Sequence, residues 1–304
     1  MKVLLTGSSG FLGKVIYQYL ADHQIAVDTL GRHENDTIKA DISSRITIIN
    51  TRYDLVIHAA GKAHMVPKSE IEKSLFFDVN LEGTRRLLES LAKNPPLSFV
   101  FISTVAVYGI HEGTKIKESH PLNATEPYGL SKKQAEALVV EWCLAHNCTC
   151  SILRLPLVIG ENAPGNFGAM VNGIRKGSYF RIGDGAGRKS MILAADVPAV
   201  ALAIAPIGGI FNLSDCADPS FAEIEAVLAE NFKVRIKKMP LVIARLIAYV
   251  GDVVNCVAQK RVSPLDSRSY RKITDSFTLD VSRLSNTICW KPTRVLEFIK
   301  NNIR

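Results

Sequence analysis

A glycine-rich loop near the start of the chain most constrains what it can fold into. The loop TGSSGFLG (residues 6–13) follows an apolar run and opens directly into an amphipathic helical pattern. One glycine allows a tight turn after a strand, another lets backbone N–H groups approach a pyrophosphate, and the last lets helix and strand pack closely. This context predicts a dinucleotide-binding loop whose contact residues are Gly7, Gly10, Phe11, Leu12 and Gly13.

Apolar runs and helical patterns then alternate through the first half of the chain. The apolar runs lie at 2–6, 25–30, 54–58, 99–103 and 149–155, with helical patterns at 11–21, 69–93 and 127–146. Runs that are apolar on both sides of the pleat are typical of parallel strands covered on both faces. The order predicts an α/β fold with a doubly wound parallel (Rossmann) sheet. We expect residues 1–158, rejoined by about 190–214, to form this domain, and 159–304 to form mainly a smaller substrate-binding lobe.

Charge and composition narrow the classes of partner. The 304 residues include 37 Lys+Arg and 29 Asp+Glu, a net charge of +8. The basic residues are spread along the chain, which argues against nucleic-acid binding and suits an enzyme with phosphorylated ligands. The six cysteines contain no C-x-x-C pattern, so we expect no metal site and a cytoplasmic location.

The most apolar later segments do not read as membrane spans. The segment 197–213 is broken by prolines and glycines, and 240–258 carries Arg245 and Asp252. We therefore expect no membrane span. We interpret 240–258 as a helix of the soluble core, with contact to a membrane surface as the alternative.

A tyrosine and a lysine have the spacing of an acid/base pair. Of the eight tyrosines only Tyr128 is followed four residues later by a lysine, Lys132, and the segment opens a helix. The two side chains therefore lie on one face, a turn apart. An ammonium near a phenol lowers the pKa of the phenol, which predicts a general acid/base usable near neutral pH.

Taken together, these motifs make the chain similar to extended short-chain dehydrogenases/reductases, specifically to their NAD(P)-dependent nucleotide-sugar epimerases and reductases. The matching segments are TGSSGFLG (6–13), Asp41-Ile42, HAAG (58–61), VNLEGT (79–84), STVAVYG (103–109), YGLSK (128–132), LRLPLVIG (153–160) and CWKP (289–292). The resemblance implies catalytic roles for Thr104, Tyr128 and Lys132. It also implies cofactor contacts from Asp41, Ile42, Ala59, Ala60, Gly61, Asn80, Tyr128, Lys132 and Pro156, and a homodimer.

Departures from the family pattern narrow the chemistry that the resemblance implies. Val105 and Ala106 stand where the family's 4,6-dehydratases carry Asp-Glu, and a 3,5-epimerase-reductase needs a cysteine at Ala106. Many of the family's epimerases carry asparagine where Leu157 stands. The segment around Leu157 looks more like the 4-keto-sugar reductases of surface-polysaccharide synthesis. We therefore expect a nucleotide-sugar 4-keto-reductase, with a 4-epimerase as the alternative and a catalytically silent dinucleotide-binding protein as a remoter one.

The end of the second apolar run bears on the choice of cofactor. Gly31 stands where an acid would accept the ribose hydroxyls of NAD, and Arg32 beside it suits a 2′-phosphate. The sequence thus favours NADP over NAD. Lys62 and His64 are possible contacts of cofactor or substrate, with a solvated loop as the equal alternative.

Basic residues in the second half are candidates for the substrate diphosphate. The resemblance places Arg188 and Lys189 there, with an exposed basic pair as the alternative interpretation. Arg271 and Arg268 are weaker candidates, and Asn166 lies in a segment similar to the reductase branch. The expected partner is a nucleotide-diphosphate sugar.

Overall fold

The computed structural model describes residues 1–44, 46–63, 65, 67, 69–258 and 266–304, apart from the side chains of Val257 and Arg268. His64 and the Arg268 side chain, both named above, lie outside this description. The strands are β1 Lys2–Thr6, β2 Ala26–Gly31, β3 Ile38–Lys39, β4 Leu55–His58, β5 Ser98–Thr104, β6 Gly113–Ile116, β7 Thr149–Leu155, β8 Leu157–Ile159, β9 Phe180–Ile182, β10 Met191–Leu193, β11 Gly209–Asn212, β12 Lys237–Met239 and β13 Phe277–Leu279. The helices are α1 Phe11–Asp22, α2 Glu70–Phe77, α3 Gly83–Leu91, α4 Pro127–Ala145, α5 Gly165–Arg175, α6 Val197–Ile204, α7 Phe221–Phe232, α8 Leu241–Val257, α9 Ser267–Thr274, α10 Ser282–Thr287 and α11 Val295–Asn302.

Seven parallel strands form the central sheet in the order β11-β7-β5-β4-β1-β2-β3. Helices cover both faces. Val3 and Leu5 of β1 pack toward α1 and α6, whereas Leu4 between them packs toward α3 and α4. This alternation explains why β1 is apolar on both sides, and the predicted doubly wound fold is confirmed.

The strand order reverses around β1, which lies between β4 and β2. In sheets of this kind, ligands bind in the crevice at the carboxyl ends of the strands where the order reverses. The loops after β1, β2 and β4 therefore frame one end of the expected cofactor site, and the loop after β5 lies further along the same edge.

The second half of the chain contributes to the central sheet and to a separate apolar cluster. The strand β11 (209–212) returns to the edge of the central sheet, beside β7. A separate apolar cluster joins α5, α7 and α11 with β8 and β10. Two further parallel pairs, β9 with β12 and β6 with β13, complete this part of the molecule.

The segment 240–258 is helical, as expected, but it is not a helix of the core. Among the described residues of α8, only Ala244, Ala248 and Gly251 are buried, while the large apolar side chains described there are exposed. The expectation of a core helix is therefore wrong, because the side chains that α8 turns inward are its smallest. Among the described helices, none is both long and apolar enough to cross a membrane.

Candidate active site

The phosphate loop is held against the chain that follows β4. Gly7 has a φ of +77°, and a Cβ there would lie 2.6 Å from the Ala60 backbone nitrogen. A Cβ on Gly13 would lie 1.9 Å from the Gly7 carbonyl oxygen. Glycine is required at both positions because any side chain would push the loop, the helix and the next strand apart.

The start of α1 can receive an anion. Gly10 is its N-cap, in extended conformation, and no side chain of the described residues caps the helix there. The first turn holds no acidic residue. Because the first backbone N–H groups of a helix lack internal partners and carry partial positive charge, this end suits a pyrophosphate. Leu12 packs into the core and Phe11 lies against Gly160, so the two side chains anchor the loop.

A buried histidine links the cofactor loops. His58 Nε2 lies 2.9 Å from Thr84 Oγ1, whose hydroxyl donates to the Asn80 carbonyl. His58 Nε2 must therefore carry the proton, and Nδ1 accepts from Thr6 Oγ1 at 2.6 Å. Burial, together with the charge of Lys132, lowers the pKa of His58 to about 3. His58 is a neutral structural residue between the first two loops of the site.

Asn80 sits in a local irregularity of the predicted helix 69–93. One π-helical turn, Asp78–Glu82, separates α2 from α3. The buried Asn80 side chain accepts from the Lys62 N–H at 2.7 Å and donates to Ser131 Oγ at 3.0 Å. A Cβ on Gly61 would approach it to 3.1 Å. Asn80 thus joins the loop after β4 to α4, which carries Tyr128 and Lys132.

Tyr128 lines a cleft of about 270 Å³, and Thr104 lies next to it. Tyr128 is the second residue of α4 and Thr104 is the last of β5, and the two side chains share a hydrogen bond. The Thr104 hydroxyl also accepts from the Ala106 N–H at 3.2 Å. The lining of the cleft includes Met65, Phe76, Ala106, His111, Glu126, Tyr128 and Lys272. A hydroxyl group that enters the cleft meets the Tyr128 phenol, to which Thr104 is hydrogen-bonded.

Lys132 lies behind Tyr128, buried among backbone and aromatic atoms. Its Nζ donates to the Ile102 carbonyl at 2.6 Å and lies 3.8 Å from the centre of the Phe101 ring. Burial lowers the pKa of Lys132 to about 7, with the Glu136 carboxylate opposing the shift. The ammonium is therefore easily neutralised.

The Tyr128 phenol does not have the lowered pKa expected from its spacing to Lys132. Burial raises its pKa, and the hydrogen bond from Thr104 only partly offsets this. The expectation fails because the Lys132 ammonium is bonded to the Ile102 carbonyl, while the phenolate would lose its hydration.

An ion pair under the site ties α4 to the sheet. Arg154 and Glu136 are both almost fully buried and lie 2.7 Å apart. Glu136 also accepts from Ser103 Oγ at 2.5 Å, and Arg154 donates to the Tyr108 hydroxyl at 3.3 Å. The pair connects α4 with β5 and β7 one turn below Lys132.

A carboxylate that the sequence analysis did not single out lies at the end of β2. Asp36 Oδ2 would be 2.4 Å from a Cβ on Gly31, so Asp36 occupies the place of a side chain at position 31. Asp36 accepts from Ser8 Oγ of the phosphate loop at 2.8 Å and from the His33 N–H at 2.9 Å. Burial favours a higher pKa, but these hydrogen bonds outweigh it and hold the pKa of Asp36 below its usual value.

The other residues expected near the adenosine differ in their surroundings. Arg32 is 78% exposed, and its guanidinium lies 3.8 Å from Asp41. Ile42 is buried against Gly83, and it is a packing residue at this edge. Pro156 joins β7 to β8. The sequence shows an acidic residue five positions after Gly31, and this could have identified Asp36 as a candidate. Only the folded loop, however, shows that Asp36 lies against Gly31 at the end of β2.

The candidates for binding the diphosphate are dispersed. Arg188 is exposed and pairs with Glu223 at 3.5 Å, and Arg271 is exposed on α9. Asn166 is exposed on α5, and its neighbour Phe167 lines a separate cavity of about 360 Å³. The cleft is lined by Lys272, whereas the predicted Arg271, its neighbour in the sequence, is not among the described lining residues.

Lys272 places a positive charge at the rim of the cleft, and Lys189 lies close enough for the two charges to interact. Burial lowers the pKa of Lys189 to about 8, Asp275 opposes the shift, and the charge of Lys272 adds to it. Among the described residues, no group of three or more His, Cys, Asp or Glu is arranged to hold a metal ion.

The sequence model of the NAD-dependent epimerase/dehydratase family matches residues 3–213. The chain belongs to this family. It is 26% identical, over 94% of its length and 89% of the relative's, to an N-acetyl-alpha-D-glucosaminyl-diphospho-ditrans,octacis-undecaprenol 4-epimerase from Escherichia coli O157:H7. It is also 26% identical to a UDP-glucose 4-epimerase from Vibrio cholerae, over 97% and 92% of the two chains.

Solved structures share the fold over nearly the whole chain. A UDP-glucose 4-epimerase of Thermus thermophilus in complex with NAD has a TM-score of 0.74 at 22% identity and covers 99% of this chain and 97% of its own. The protein RMD from Pseudomonas aeruginosa, complexed with NADPH, has a TM-score of 0.71 at 21% identity, over 98% and 96% of the two chains. The chain is an NAD(P)-dependent enzyme of the nucleotide-sugar epimerase/dehydratase type.

Proposed function

We propose that this enzyme oxidises and re-reduces C4 of a sugar joined to a diphosphate, so that the net reaction is 4-epimerisation. The observation that carries the proposal is Tyr128 in the lining of the cleft, hydrogen-bonded to Thr104 and followed one turn later by the buried Lys132. The phosphate loop, the uncapped start of α1 and the small residues after β4 fit a dinucleotide beside this pair. When bound, the nicotinamide accepts and returns the hydride.

In this mechanism Tyr128 takes the proton of the C4 hydroxyl and later returns it to the same oxygen, after the sugar has turned so that hydride would return to the opposite face of C4. Thr104 holds the same oxygen by a hydrogen bond and stabilises the phenolate. Lys132, with its ammonium at the Ile102 carbonyl, acts as a contact of the cofactor, as the resemblance implies. Lys272 at the rim of the cleft, with Lys189 close to it, holds the diphosphate, so that the sugar can turn while its anchor stays bound.

Two near-full-length relatives are 4-epimerases by name, and this supports net epimerisation over net reduction. A 4-keto-reductase is the second candidate. It is favoured by Leu157, a half-buried apolar side chain at the position where many epimerases of the family carry asparagine. Both candidates use Thr104, Tyr128 and Lys132 in the same roles.

The group that carries the sugar diphosphate can be a nucleotide or a polyprenol. A nucleotide is supported by the relatives named for UDP-glucose. A polyprenol is supported by the relative from Escherichia coli O157:H7. The chemistry at C4 is the same in both cases, because the carrier lies beyond the diphosphate.

For the cofactor we propose NAD. Arg32 favours NADP, as expected from sequence, but its side chain extends into solvent. Asp36 is buried, negative and hydrogen-bonded to the phosphate loop. A carboxylate at the end of β2 accepts a ribose hydroxyl and repels a 2′-phosphate.

The proposal also includes the predicted substrate lobe, the oligomeric state and the cellular compartment. Residues 159–304, apart from about 190–214, which include α6 and β11 and pack with the central sheet, form mainly the substrate lobe, which provides Lys272 of the cleft. The enzyme works as a homodimer in a reducing cytoplasm. The reducing compartment is supported by the six cysteines, which are all free thiols.

The experiment that tests the function measures products and cofactor together. UDP-, GDP- and dTDP-sugars and their 4-keto forms are incubated with the enzyme, with NADH or NADPH and without either. C4 configuration is read by NMR and cofactor oxidation by absorbance. Interconversion of C4 isomers with no net cofactor change is the expected result. If the enzyme instead oxidises one reduced cofactor for each 4-keto sugar consumed, it is a 4-keto-reductase and the epimerase proposal is wrong.

A further inference from the structure

We propose that α8, with the basic strand before it, docks the enzyme on an anionic lipid surface. The outward face of this helix is apolar. Val242, Leu246, Tyr249 and Val253 are spaced by four, three and four residues, so they lie along one face. Their exposed fractions are 79, 64, 54 and 62%. A helix on the surface of a globular protein normally directs polar residues outward, so α8 has the inverse pattern.

Positive charge surrounds this apolar face. The segment 233–239 contains Lys233, Arg235, Lys237 and Lys238, all exposed, and no acidic residue. Lys237 is in register with Phe180, an exposed aromatic side chain on β9. Arg245 adds a further exposed cation on α8 itself.

The acidic groups near α8 do not cancel this charge. Asp252, the only acidic residue of α8, is turned toward α9 and accepts from the Ser267 N–H at 3.1 Å and from the Ser267 hydroxyl. Glu230, at the end of α7, precedes the cationic segment. An apolar helix face flanked by Lys and Arg is typical of helices that lie in the interface of an anionic bilayer.

A second copy of the chain fits this face less well than a lipid surface does. In a two-fold interface centred on α8, each copy would present the same basic patch, so neither copy would supply counter-charges for the lysines of the other. Like charges brought together in this way oppose association. Anionic head groups instead neutralise the lysines while the apolar side chains enter the acyl region.

The helix is also close to the cleft. α8 packs against α9, and Lys272 of α9 lines the cleft at Tyr128. A bilayer in contact with α8 would lie one helix away from the rim that holds the diphosphate. This placement suits the polyprenyl carrier, a point that rests on the proposed function. Docking itself does not depend on catalysis.

Vesicle flotation of the full chain tests the docking. The lipids are phosphatidylcholine alone or phosphatidylcholine with phosphatidylglycerol, at low and high salt. We expect binding to the anionic vesicles that weakens as salt rises. Leu246→Glu should lower the partition coefficient roughly tenfold or more, because it removes a buried leucine side chain from the lipid phase. Lys237→Glu with Lys238→Glu should lower it by a similar factor and reduce the salt dependence.

Ile207→Glu is the matched control, since it places the same charge on an exposed apolar residue of a turn outside α8. It should bind vesicles like the unchanged enzyme. Circular dichroism and turnover of a soluble nucleotide sugar confirm that each variant is folded. The docking is contradicted by any of three results: no binding to anionic vesicles at low salt, equal binding to neutral vesicles, or a Leu246→Glu variant that only dissociates an oligomer.

Discussion

Tyr128 is the residue whose hydroxyl the proposed chemistry cannot do without. Tyr128→Phe keeps the ring that packs near Phe76 and removes only the proton-transferring group. We expect kcat to fall by about 10²–10⁴-fold, the usual contribution of a general acid/base, with cofactor affinity nearly unchanged. Tyr17→Phe, on the exposed face of α1, is the control. A Tyr128→Phe enzyme that keeps more than about a tenth of kcat would remove Tyr128 from the mechanism.

Asp36 and Arg32 compete over the choice of cofactor. Asp36→Asn removes the charge that repels a 2′-phosphate, so the preference for NADH over NADPH should fall by roughly tenfold to a hundredfold, as expected for a charge-assisted hydrogen bond of about 1.5–3 kcal/mol. Arg32→Ala should shift the preference the other way. Binding titrations of both cofactors to both variants measure the shifts. If Asp36→Asn leaves the ratio unchanged while Arg32→Ala strongly weakens NADPH binding, the enzyme is an NADP enzyme.

His58 should make the enzyme sensitive to acid. Its pKa is lowered to about 3 in the folded protein, against about 6.5 in the unfolded chain. Between these values the unfolded chain binds a proton that the folded protein does not. The free energy of unfolding should therefore fall with decreasing pH, by up to about 1.4 kcal/mol per pH unit from this group.

Urea unfolding from pH 7 to pH 4 measures this effect. In His58→Gln the decline with falling pH should be shallower, whereas His23→Gln, at an exposed position, should follow the unchanged enzyme. Parallel curves for the unchanged enzyme and His58→Gln would show that the neutral state of His58 does not contribute to the pH dependence.

At the scale of elements, the Arg154–Glu136 pair holds α4 on β5 and β7. Glu136→Gln keeps the shape of the side chain but leaves the buried Arg154 cation without its counter-charge. We expect a loss of about 3–5 kcal/mol in the free energy of unfolding. Glu82→Gln, which breaks the exposed pair with Arg85, should cost less than about 1 kcal/mol. Equal losses of unfolding free energy in the two variants would show that the buried pair stabilises the fold no more than the exposed pair does.

The sequence pattern located the helical segment 69–93 correctly but did not reveal that it is interrupted. The segment 69–93 has the composition of one helix, yet a π-helical turn interrupts it and carries the buried Asn80. The turn depends on the partners of Asn80, the Lys62 backbone and Ser131, which are distant in sequence. Periodicity along a segment cannot report such partners, because they lie on other elements.

At the scale of the whole molecule, the expected dimer has a candidate surface on α4. Val140 and Leu144 are one turn apart and exposed, Leu144 by 81%. Sedimentation should show two copies, and Val140→Glu with Leu144→Glu should yield a monomer, since the charges would be buried against their own copies. Ile207→Glu should remain dimeric. A monomeric unchanged enzyme would remove the dimer from the proposal.

The local pattern of the chain determined the order of strands and helices, the phosphate loop and the Tyr128/Lys132 spacing. These features depend on neighbours within a few residues, since side-chain periodicity and glycine spacing are properties of a short segment. Only the tertiary structure decided the rest. It brought Asp36 back to Gly31, placed Lys272 at the cleft, bonded Lys132 to the Ile102 carbonyl and left the apolar face of α8 uncovered. Burial and electrostatic partners are set by elements far apart in sequence, so a pattern within one element cannot specify them.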